Sequence, residues 1–405
     1  MSNASVRQGR GECKMRGGKL IAANVTASQT RVLSCILDGD FFAEGNLDKP
    51  QVIADIEAQI AQCALPIDAD TLGNKIRVIL DTQQLTLLIG ATPQTIVTAV
   101  QRALLASDGI AQAENEHDKQ SNATQETLSA PDLVPDRLLS DFRNRWKALA
   151  LSVVHDEPLM PSRQMATDHA LAQAVARGEC GPMIRIWEWA ASTVVIGRFQ
   201  SLSHQVDLEA AQQEGVSVVR RVTGGGAMFV EPKNTITYSL YAPLNLVEAM
   251  SIEQSYRCCD DWILSALRQI GIDAQYEPIN DLSSPSGKIG GAAQRRYAAQ
   301  QGGPGAVLHH VTMSYDIDAE KMSRILRISR EKMRYKAVQS AVKRVDPLRS
   351  QSGLGREEII GKLIAFLLST IPGAHTGTVP SPIRQTAAVL DATRFSQDSW
   401  TRGIV

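Results

Sequence analysis

The chain has 405 residues, of which 43% are hydrophobic and 21% are charged, and its formal net charge is −1. This profile is typical of a globular protein of two domains, and it provides no electrostatic field that demands nucleic acid or a membrane surface as partner. No apolar run approaches the roughly 20 residues of a membrane-spanning helix, and no apolar segment follows the basic residues at the N-terminus, so we expect a cytoplasmic protein without a secretory signal.

Residues 1–105 form the first predicted domain, which belongs to the α+β class. Strands are predicted over residues 19–25, 30–37 and 85–89. A first helix is indicated by apolar side chains on one helical stripe, namely Val52, Ile53, Ile56, Ile60 and Cys63. Thr92 and Pro93 form a good N-cap and first-turn pair for a second helix. Its apolar face consists of Ile96, Val97, Val100, Ala103 and Leu104.

Residues 106–138 are polar, contain two prolines and show neither helical nor strand periodicity. We therefore predict a linker there. Residues 139–405 form the second predicted domain, in which helices and strands mix and the sheet is expected to be mixed. Helices are predicted over 167–177, over 251–270 after a capping box of Ser251 and Gln254, and over 357–368. Strands are predicted over 183–189, 193–196, 216–222, 234–240 and 307–315.

The segment RRVTGGGAMF, which begins at Arg220, is the most informative part of the chain. A predicted strand ends in Arg220 and Arg221, and three consecutive glycines follow within the next few residues. Glycines let the main chain approach a ligand closely and aim its N–H groups at an anion. The two guanidinium groups can add charge-assisted contacts to a carboxylate or phosphate. The alternative interpretation is a surface turn flanked by solvated arginines.

A second segment, residues 280–296, places Lys288 among small residues. An ammonium group there can neutralise charge when a carboxylate attacks phosphorus, and again when an amine attacks the resulting adenylate. Asp281 is a candidate magnesium ligand, because magnesium in nucleotide sites takes one or two carboxylates together with phosphate oxygens. The alternative interpretation is a flexible basic loop.

Together these segments resemble the motifs of the lipoate–protein ligase family. The main matches are RRVTGGGAMFVEPKN at 220–234, NDL at 280–282 and KIGGAAQ at 288–294. Further matches in the same order are VVIGRFQ at 194–200, LHH at 308–310 and KRV at 343–345. The resemblance covers most of residues 145–400. It implies a mixed-sheet catalytic domain of the biotin and lipoate ligase type.

The resemblance also implies individual roles. Lys288 would be the catalytic lysine that contacts both the adenylate and the lipoyl carbonyl. The nucleotide would be held by Arg221, Gly226, Ala227, Met228, Phe229 and Asn234. The lipoyl group would be bound by Thr223, Gly224, Gly225, Gly291 and His309. The substrates would be ATP with magnesium and lipoic acid, and the acceptors apo lipoyl domains of 2-oxoacid dehydrogenases or the glycine cleavage H-protein.

The first domain resembles the small accessory domain of the same family. The resemblance rests on Gly18, Lys19 and Leu20 after another glycine, and on LDGDFF at 37–42 followed by a predicted helix. In the family's familiar order this domain follows the catalytic one, whereas here it precedes it. A chain that carries both domains is expected to carry out both half-reactions.

The chain departs from the family pattern near the glycines. Thr223 replaces a serine, which keeps a hydroxyl group. Val230 and Glu231 replace histidine and aspartate, Lys233 replaces the glycine before Asn234, and Val311 replaces the glycine after the two histidines. These departures affect the expected loop geometry and acyl-chain preference.

Three other functions are considered. An octanoyltransferase of the same fold would hold its acyl group on a cysteine, but no cysteine lies in 220–234 or 280–294. A biotin ligase is disfavoured because no GRGRRG-type loop is present, and a non-catalytic binding protein is disfavoured by the retained Lys288.

The six cysteines lie at 13, 35, 63, 180, 258 and 259, a scatter that predicts reduced thiols rather than disulfides or a zinc site.

Several conspicuous residues are predicted to have structural roles. His309 and His310 are neighbours on a predicted strand, so their side chains should point to opposite faces and cannot chelate one metal ion. The adjacent Cys258 and Cys259 are expected to be inert helix thiols. Trp187, Trp189 and Trp262 are expected in the core. A basic cluster is expected to be solvated, with phosphate binding or docking of an acidic partner domain as the alternatives; it consists of Arg334, Lys336, Lys343 and Arg344.

Overall fold

The computed structural model describes residues 6–14, 18–43, 50–82, 88–108, 136–327 and 345–403, and every structural statement concerns these ranges. The chain divides into two compact units, one of residues 1–38 and 45–143 and a larger one of residues 39–44 and 144–405. Most of the predicted linker lies outside the described residues, as does the whole basic cluster from Arg334 to Arg344. The structure confirms the α+β class.

The strands, in chain order, are β1 (Arg7–Cys13), β2 (Ile21–Ala27), β3 (Val32–Gly39), β4 (Phe42–Ala43), β5 (Leu88–Ile89), β6 (Ser152–Leu159), β7 (Met183–Trp189), β8 (Thr193–Ile196), β9 (Ser217–Arg220), β10 (Met228–Val230), β11 (Thr235–Pro243), β12 (Gln275–Glu277), β13 (Asp281–Ser284), β14 (Gly287–Tyr297), β15 (Ala306–Ser314) and β16 (His375–Thr376). The helices are α1 (Gln51–Ile60), α2 (Ala69–Thr82), α3 (Pro93–Ser107), α4 (Asp136–Lys147), α5 (Pro161–Ala176), α6 (Leu202–Gln205), α7 (Leu208–Gln213), α8 (Ile252–Gln269), α9 (Ala319–Ile325), α10 (Leu348–Ser352), α11 (Arg356–Thr370), α12 (Ser381–Leu390) and α13 (Asp398–Thr401). A 3₁₀ turn (Leu244–Val247) and a π-helical turn (Asp391–Phe395) complete the described elements.

The smaller unit is a three-stranded sheet in the order β1-β2-β3, with α3 packed against β1 and β2. The predicted apolar stripes of α1 and α3 are largely confirmed, because Ile56, Ile60, Ile96 and Val100 are fully buried, whereas Cys63 lies after α1 and Leu104 is only half-buried. Thr92 caps α3 as predicted, accepting a hydrogen bond from the Thr95 main-chain N–H. Strand β1 and helix α2 were not predicted. Strand β1 presents small inward residues rather than large apolar ones, so no apolar alternation marks it.

The larger unit is built on an eight-stranded sheet in the order β12-β13-β14-β15-β11-β7-β6-β16. The pairs β6–β7 and β6–β16 are parallel and the others are antiparallel, which confirms the predicted mixed sheet. A second sheet has the order β10-β8-β9. Its strands β9 and β10 flank the segment with the three glycines.

Helices α5 and α8 pack against opposite faces of the large sheet. From strand β11, Ser239 contacts Asp168 of α5, whereas Tyr238 contacts Trp262 of α8 with ring centroids 4.8 Å apart. The predicted polar face of β11 is therefore buried as well as its apolar face. On that face the hydroxyl groups of Thr237 and Ser239 have hydrogen-bond partners inside the protein, as buried polar groups usually do, whereas the buried Thr235 hydroxyl has none within the described residues.

The start of helix α8 agrees with the prediction, whereas the start of helix α5 does not. Helix α8 has the predicted capping box of Ser251 and Gln254. Helix α5 begins at Pro161 rather than at residue 167, because it is buried around most of its circumference and therefore lacks a polar face that marks its start. Gly178 follows α5 with a φ of 73°, as predicted for a C′ glycine.

The core predictions are confirmed. Trp187, Trp189 and Trp262 are buried, and Cys258 and Cys259 are fully buried within α8. All six cysteines lie in the described ranges, and none of them forms a disulfide there. In the described ranges, no helix has both the length and the apolar character needed to cross a bilayer.

Burial of His169 on α5 predicts a loss of stability in mild acid. Burial, together with the nearby charge of Arg295, lowers the pKa of His169 to about 3. The unfolded chain takes up this proton below about pH 6.5 and the folded chain does not, so the free energy of unfolding falls by up to about 1.4 kcal/mol per pH unit as the pH drops from 6.5 towards 3. Urea denaturation at pH 7, 6 and 5 measures this slope.

The variant His169→Gln retains a polar group towards the Tyr297 hydroxyl, which lies 2.9 Å from His169 Nδ1. Its unfolding free energy should depend less steeply on pH than that of the wild type. The exposed His375 provides the control, because His375→Gln should keep the wild-type slope. Equal slopes for His169→Gln and the wild type would contradict the prediction.

Candidate functional site

Arg220, the last residue of β9, connects the start of the segment between β9 and β10 to the surrounding main chain. Its guanidinium group is fully buried and donates to the main-chain carbonyls of five residues at 2.7–3.1 Å, namely Gly197, Arg198, Gln200, Trp400 and Thr401. The expectation that both arginines face an anion is therefore wrong for Arg220. A buried guanidinium with this many acceptors is a structural crosslink.

Arg221 organises the glycine loop, which we define as residues 221–227. Its guanidinium donates to the carbonyls of Gly224 and Gly226 at 2.6 and 2.9 Å, and to the Thr223 hydroxyl at 3.0 Å. It also donates to the Val195 carbonyl at 3.2 Å, so its hydrogen-bond acceptors are all neutral. Burial lowers the pKa of Arg221 to about 10, and the guanidinium remains charged at neutral pH. A buried cation among neutral acceptors is suited to attract an anion.

Two glycines of this loop make room for neighbouring main chain or for a conformation that other residues rarely adopt. A Cβ atom on Gly224 would lie 2.4 Å from the carbonyl oxygen of Phe41, which no side chain can tolerate. Gly225 has a φ of 90°, which disfavours any residue with a Cβ. The exposed part of the loop is Gly226, followed by the half-buried Ala227 and Met228, whereas Phe229 is buried in the core. The solvent-accessible stretch of this segment therefore covers only residues 226–228.

A buried network links the loop to helix α5. His310 Nε2 lies 2.8 Å from the Thr223 hydroxyl, and His310 Nδ1 lies 2.9 Å from Asp168. Burial lowers the pKa of His310, while the contacts of Asp168 with His310 and Arg185 hold the carboxyl pKa below its ordinary value despite burial. Since a carboxylate can only accept, Nδ1 carries the proton and Nε2 accepts from Thr223. The network fixes the orientation of the Thr223 side chain.

His309 points to the opposite face of the sheet, as predicted. Its Nε2 lies 2.7 Å from Asp260 of α8, and both side chains are fully buried. Its ring also contacts the Tyr256 ring, with centroids 5.4 Å apart. The two neighbouring histidines therefore contact different helices and do not converge on a single metal ion.

Lys288 lies near the start of β14, so the segment forms a β-hairpin rather than a loop. The ammonium group lies 2.8 Å from Asp281 Oδ1, and the Lys288 side chain is 38% exposed. Gly291 pairs with Asp281 across the strands, and a Cβ on Gly291 would lie 3.2 Å from Lys288 Nζ. Gly291 thus leaves space for the ammonium group.

Two neighbouring segments, strand β13 and the residues around Val345, determine the main-chain position of Lys288. A register shift between Leu282 and Ser283 distorts the hairpin next to it, and such bulges can re-aim a side chain. On the other side, Lys288 pairs with Val345, and its carbonyl accepts a hydrogen bond from the Asp346 N–H at 2.8 Å. Val345 ends the predicted KRV motif, whose first two residues lie outside the described residues.

Asn234 lies in the turn after β10, where its amide group donates to Glu231 at 3.2 Å. Lys233, which departs from the family's glycine, adopts a φ of 65°. The turn therefore keeps a conformation that favours glycine at a cost of about 1 kcal/mol. Glu231, another altered residue, also contacts Lys321 at 3.1 Å.

Strand pairing relates the predicted site residues to one another. Strand β14 carries Lys288 and Gly291, and its Ala293 pairs with His310 on β15. The His310 side chain in turn contacts the glycine loop through Thr223. Sequence reasoning missed Asp168, because a lone aspartate in a helix has no motif. Only its position inside a buried helix marks it.

Comparison with known proteins identifies the family. The family model described as the lipoyl protein ligase A/B catalytic domain matches residues 160–367. The octanoyltransferase LipM of Lysinibacillus sphaericus is 31% identical over 210 residues, which cover 45% of this chain and 73% of that protein. Subunit 1 of lipoate-protein ligase A from Thermoplasma acidophilum is 26% identical over 246 residues, covering 60% of this chain and 92% of that protein.

A solved structure shows the same fold. The bipartite lipoate protein ligase of Thermoplasma acidophilum, solved in a study that included its E2 lipoyl domain, aligns with a TM-score of 0.53 and 26% identity. The alignment covers 63% of this chain and 96% of that one. Through residues 160–367, about half of its length, the chain belongs to the lipoyl protein ligase A/B catalytic-domain family and is an enzyme of the lipoate ligase and octanoyltransferase group.

Proposed function

We propose that this protein is an ATP-dependent lipoate–protein ligase that forms lipoyl-AMP and transfers the lipoyl group to a lysine of an acceptor protein. The observation that carries this proposal is the setting of Lys288. Its half-exposed ammonium group lies beside Gly291, which has no side chain, and is oriented by Asp281 at 2.8 Å. An acyl phosphate anhydride can therefore approach it closely.

The proposed reaction has two steps that use the same cation. In the first, a carboxylate oxygen of lipoate bonds to the α-phosphorus of ATP, and pyrophosphate leaves. In the second, a deprotonated lysine amine bonds to the acyl carbon, and AMP leaves. Negative charge builds up on oxygens around the anhydride in both steps, and a positioned ammonium group stabilises that charge.

The proposed binding residues are those that the family resemblance indicates. Arg221, the main chain of residues 226–229 and Asn234 would hold the nucleotide. Thr223, Gly224, Gly225, Gly291 and His309 would shape the lipoyl pocket. Burying each methylene of the acyl chain contributes about 0.8 kcal/mol to binding. Magnesium would enter with ATP as part of the substrate, and the carboxylate of Asp281 is a hard oxygen ligand of the kind it prefers.

We propose residues 1–105 as the accessory domain, 106–138 as the linker and 139–405 as the catalytic domain, acting in the cytoplasm. The acceptor would be an apo lipoyl domain of a 2-oxoacid dehydrogenase or the glycine cleavage H-protein. The study of the Thermoplasma acidophilum ligase, which is 26% identical, included its E2 lipoyl domain. That relationship supports the choice of acceptor.

The second candidate function is octanoyl transfer, because the octanoyltransferase LipM of Lysinibacillus sphaericus is 31% identical. Such chemistry needs a reactive thiolate, and reactive cysteines occupy electropositive, accessible positions. Cys258 and Cys259 are fully buried in α8, and burial raises the pKa of Cys259 well above its ordinary value. No cysteine occurs between Cys259 and the C-terminus. These facts favour the ligase.

One assay separates the two functions. The purified full chain is incubated with an apo lipoyl domain and either ATP, magnesium and lipoic acid, or octanoyl-acyl carrier protein without ATP. We expect the first mixture alone to add a lipoyl mass to the domain and to release pyrophosphate. Modification in the second mixture alone would show that the protein is a transferase.

The ion pair between Asp281 and Lys288 predicts the effect of Asp281→Asn. The amide keeps the shape of the side chain but loses the charge that orients the ammonium group, so we expect adenylate formation to slow by about 10-fold, in line with a 1–2 kcal/mol contribution of a charge-assisted hydrogen bond. Pyrophosphate release measured across a magnesium titration is the readout.

The matched control is Asp316→Asn, which removes an exposed carboxylate paired with Arg349. It should leave the rate unchanged. A higher magnesium requirement in Asp281→Asn would assign the carboxylate to the metal as well as to the lysine. An unchanged rate at every magnesium concentration would remove Asp281 from both roles.

A further inference from the structure

Three residues from the N-terminal part of the chain, Asp40, Phe41 and Phe42, lie against the glycine loop, and we call them the N-terminal arm. Residues 39–44, which include the arm, group with the larger unit rather than with their sequence neighbours. Phe41 and Phe42 are buried, with 0% and 3% of their surface exposed. The arm is therefore an integral part of the catalytic unit's packing.

The arm is anchored by residues that follow strand β8. The Phe41 and Phe199 rings stack with centroids 5.1 Å apart and an interplanar angle of 11°. The main-chain N–H of Gly39, just before the arm, donates to the Phe199 carbonyl at 2.9 Å. Next to this contact, the Gln200 amide donates to Asp40 at 2.7 Å. Two consecutive residues thus bind the arm through stacking and hydrogen bonds.

Gln200, which binds the arm, also contacts the residue that packs against the glycine loop. The Gln200 side-chain oxygen accepts a hydrogen bond from the Gly197 N–H at 2.8 Å. Gly197 in turn packs directly on the loop, since a Cβ there would lie 2.0 Å from the Gly225 carbonyl oxygen. Asp40, Gln200, Gly197 and Gly225 therefore form a continuous chain of contacts.

The arm itself also packs directly against Gly224 and Gly225 of the glycine loop. A Cβ on Gly224 would lie 2.4 Å from the Phe41 carbonyl oxygen and 2.9 Å from Phe42 Cα. The Phe42 ring lies 3.3 Å from the Cβ position of Gly225. A residue other than glycine at 224 must displace the arm, because the atoms it would meet belong to main chain.

Beyond the loop, the Phe42 ring packs against Tyr256, which in turn packs against His309. Its ring centroid lies 5.9 Å from that of Tyr256, and the Tyr256 ring lies 5.4 Å from His309. His309, Gly224 and Gly225 are all residues of the proposed lipoyl pocket. Phe42 therefore borders that pocket from a segment more than a hundred residues earlier in the chain.

We propose that Phe42 is a wall of the acyl pocket and a determinant of acyl-chain preference, held in place by Asp40 and Phe41 as positioning residues. This inference rests on the proposed function, because it assumes that Gly224 and Gly225 shape the pocket of a medium-chain carboxylic acid. An apolar ring beside glycines limits the length and width of the chain that can enter.

The test uses the full chain with Phe42→Ala and Phe42→Leu, and measures kcat/KM for adenylation of octanoate, lipoate and decanoate. In Phe42→Ala we expect the decanoate-to-octanoate ratio of kcat/KM to rise at least 5-fold, with a smaller rise in Phe42→Leu. The change should lie mainly in KM. A general loss of stability lowers all three values together and leaves the ratio constant.

The matched control is Phe142→Leu, which shortens another fully buried phenylalanine in α4, and it should leave the ratio unchanged. If Phe42→Ala does not fold, as judged by its thermal melting, Phe42→Leu and Asp40→Ala still test the inference. Asp40→Ala should lower kcat/KM for lipoate at least 5-fold by loosening the arm from Gln200.

A double-mutant cycle links the arm to the loop. Because Gly224→Ala displaces the arm, its effect on lipoate kcat/KM should be much smaller in a Phe42→Ala background than in the wild type. Additive effects and an unchanged acyl ratio in Phe42→Ala would overturn the inference. If instead the wild type uses only octanoyl-acyl carrier protein, the proposed function fails, and the same acyl ratio measured with carrier thioesters still tests the arm.

Discussion

Replacing Lys288 with alanine is expected to slow adenylate formation by roughly 10²–10³-fold, the range observed when one group that stabilises transition-state charge is removed. The physical reason is the position of its ammonium group, 2.8 Å from Asp281 and beside the bare main chain of Gly291. Pyrophosphate release with lipoic acid, together with trapping of the adenylate by hydroxylamine, measures the first step. Transfer from presynthesised lipoyl-AMP measures the second, and we expect it to slow as well.

Two further variants show whether charge or position matters. Gly291→Ala keeps the ammonium group but adds a Cβ 3.2 Å from Nζ, so it should give an intermediate loss of rate. Lys362→Ala removes an exposed lysine from helix α11 and should have no effect. Near-normal adenylation by Lys288→Ala would remove this residue from its proposed role and with it the main support for the ligase function.

Replacing Arg220 with methionine is expected to lower the free energy of unfolding by at least about 3 kcal/mol, since each buried polar group left unsatisfied costs about 1–3 kcal/mol. The guanidinium binds five main-chain carbonyls, and two of them, those of Trp400 and Thr401, lie near the end of the chain. The indole of Trp400 returns a hydrogen bond to the Arg220 carbonyl at 2.9 Å. Urea denaturation followed by circular dichroism measures the change.

The control for this loss is Arg349→Met, because Arg349 is 63% exposed and its ion pair with Asp316 is at the surface. Exposed ion pairs contribute little to stability, so that variant should unfold at the wild-type urea concentration. If Arg220→Met shared this midpoint, Arg220 could not be the crosslink that the hydrogen bonds indicate. Arg220 would then have to be reconsidered as a ligand-binding residue.

The two arginines illustrate the reach of sequence reasoning. The motif located Arg220 and Arg221 at the site, but the expectation of two anion-binding side chains was wrong for the first. Successive residues along a strand point in opposite directions, so one guanidinium is directed into the core and the other into the glycine loop. The role of Arg220 as a crosslink depends in part on the carbonyls of Trp400 and Thr401, residues 180 and 181 positions away.

The glycines carry a similar lesson. Their number and spacing predict a close approach of the main chain to a ligand, whereas the group that lies against Gly224 in the structure is the carbonyl of Phe41. In the sequence, the segment containing Phe41 and Phe42 indicates only the accessory domain. Its packing against the loop could not be predicted, because no local pattern records which distant segment fills a gap.

By itself the sequence determined the elements that depend on local chemistry. Capping by Ser251 set the start of α8, alternation located β11, and the order of the motifs identified the family. Only the tertiary structure decided the partners of the site residues, such as Thr223 with His310 and Lys288 with Asp281. Periodicity and capping act over a few residues, whereas these contacts join elements that meet only when the sheet and its two covering helices pack.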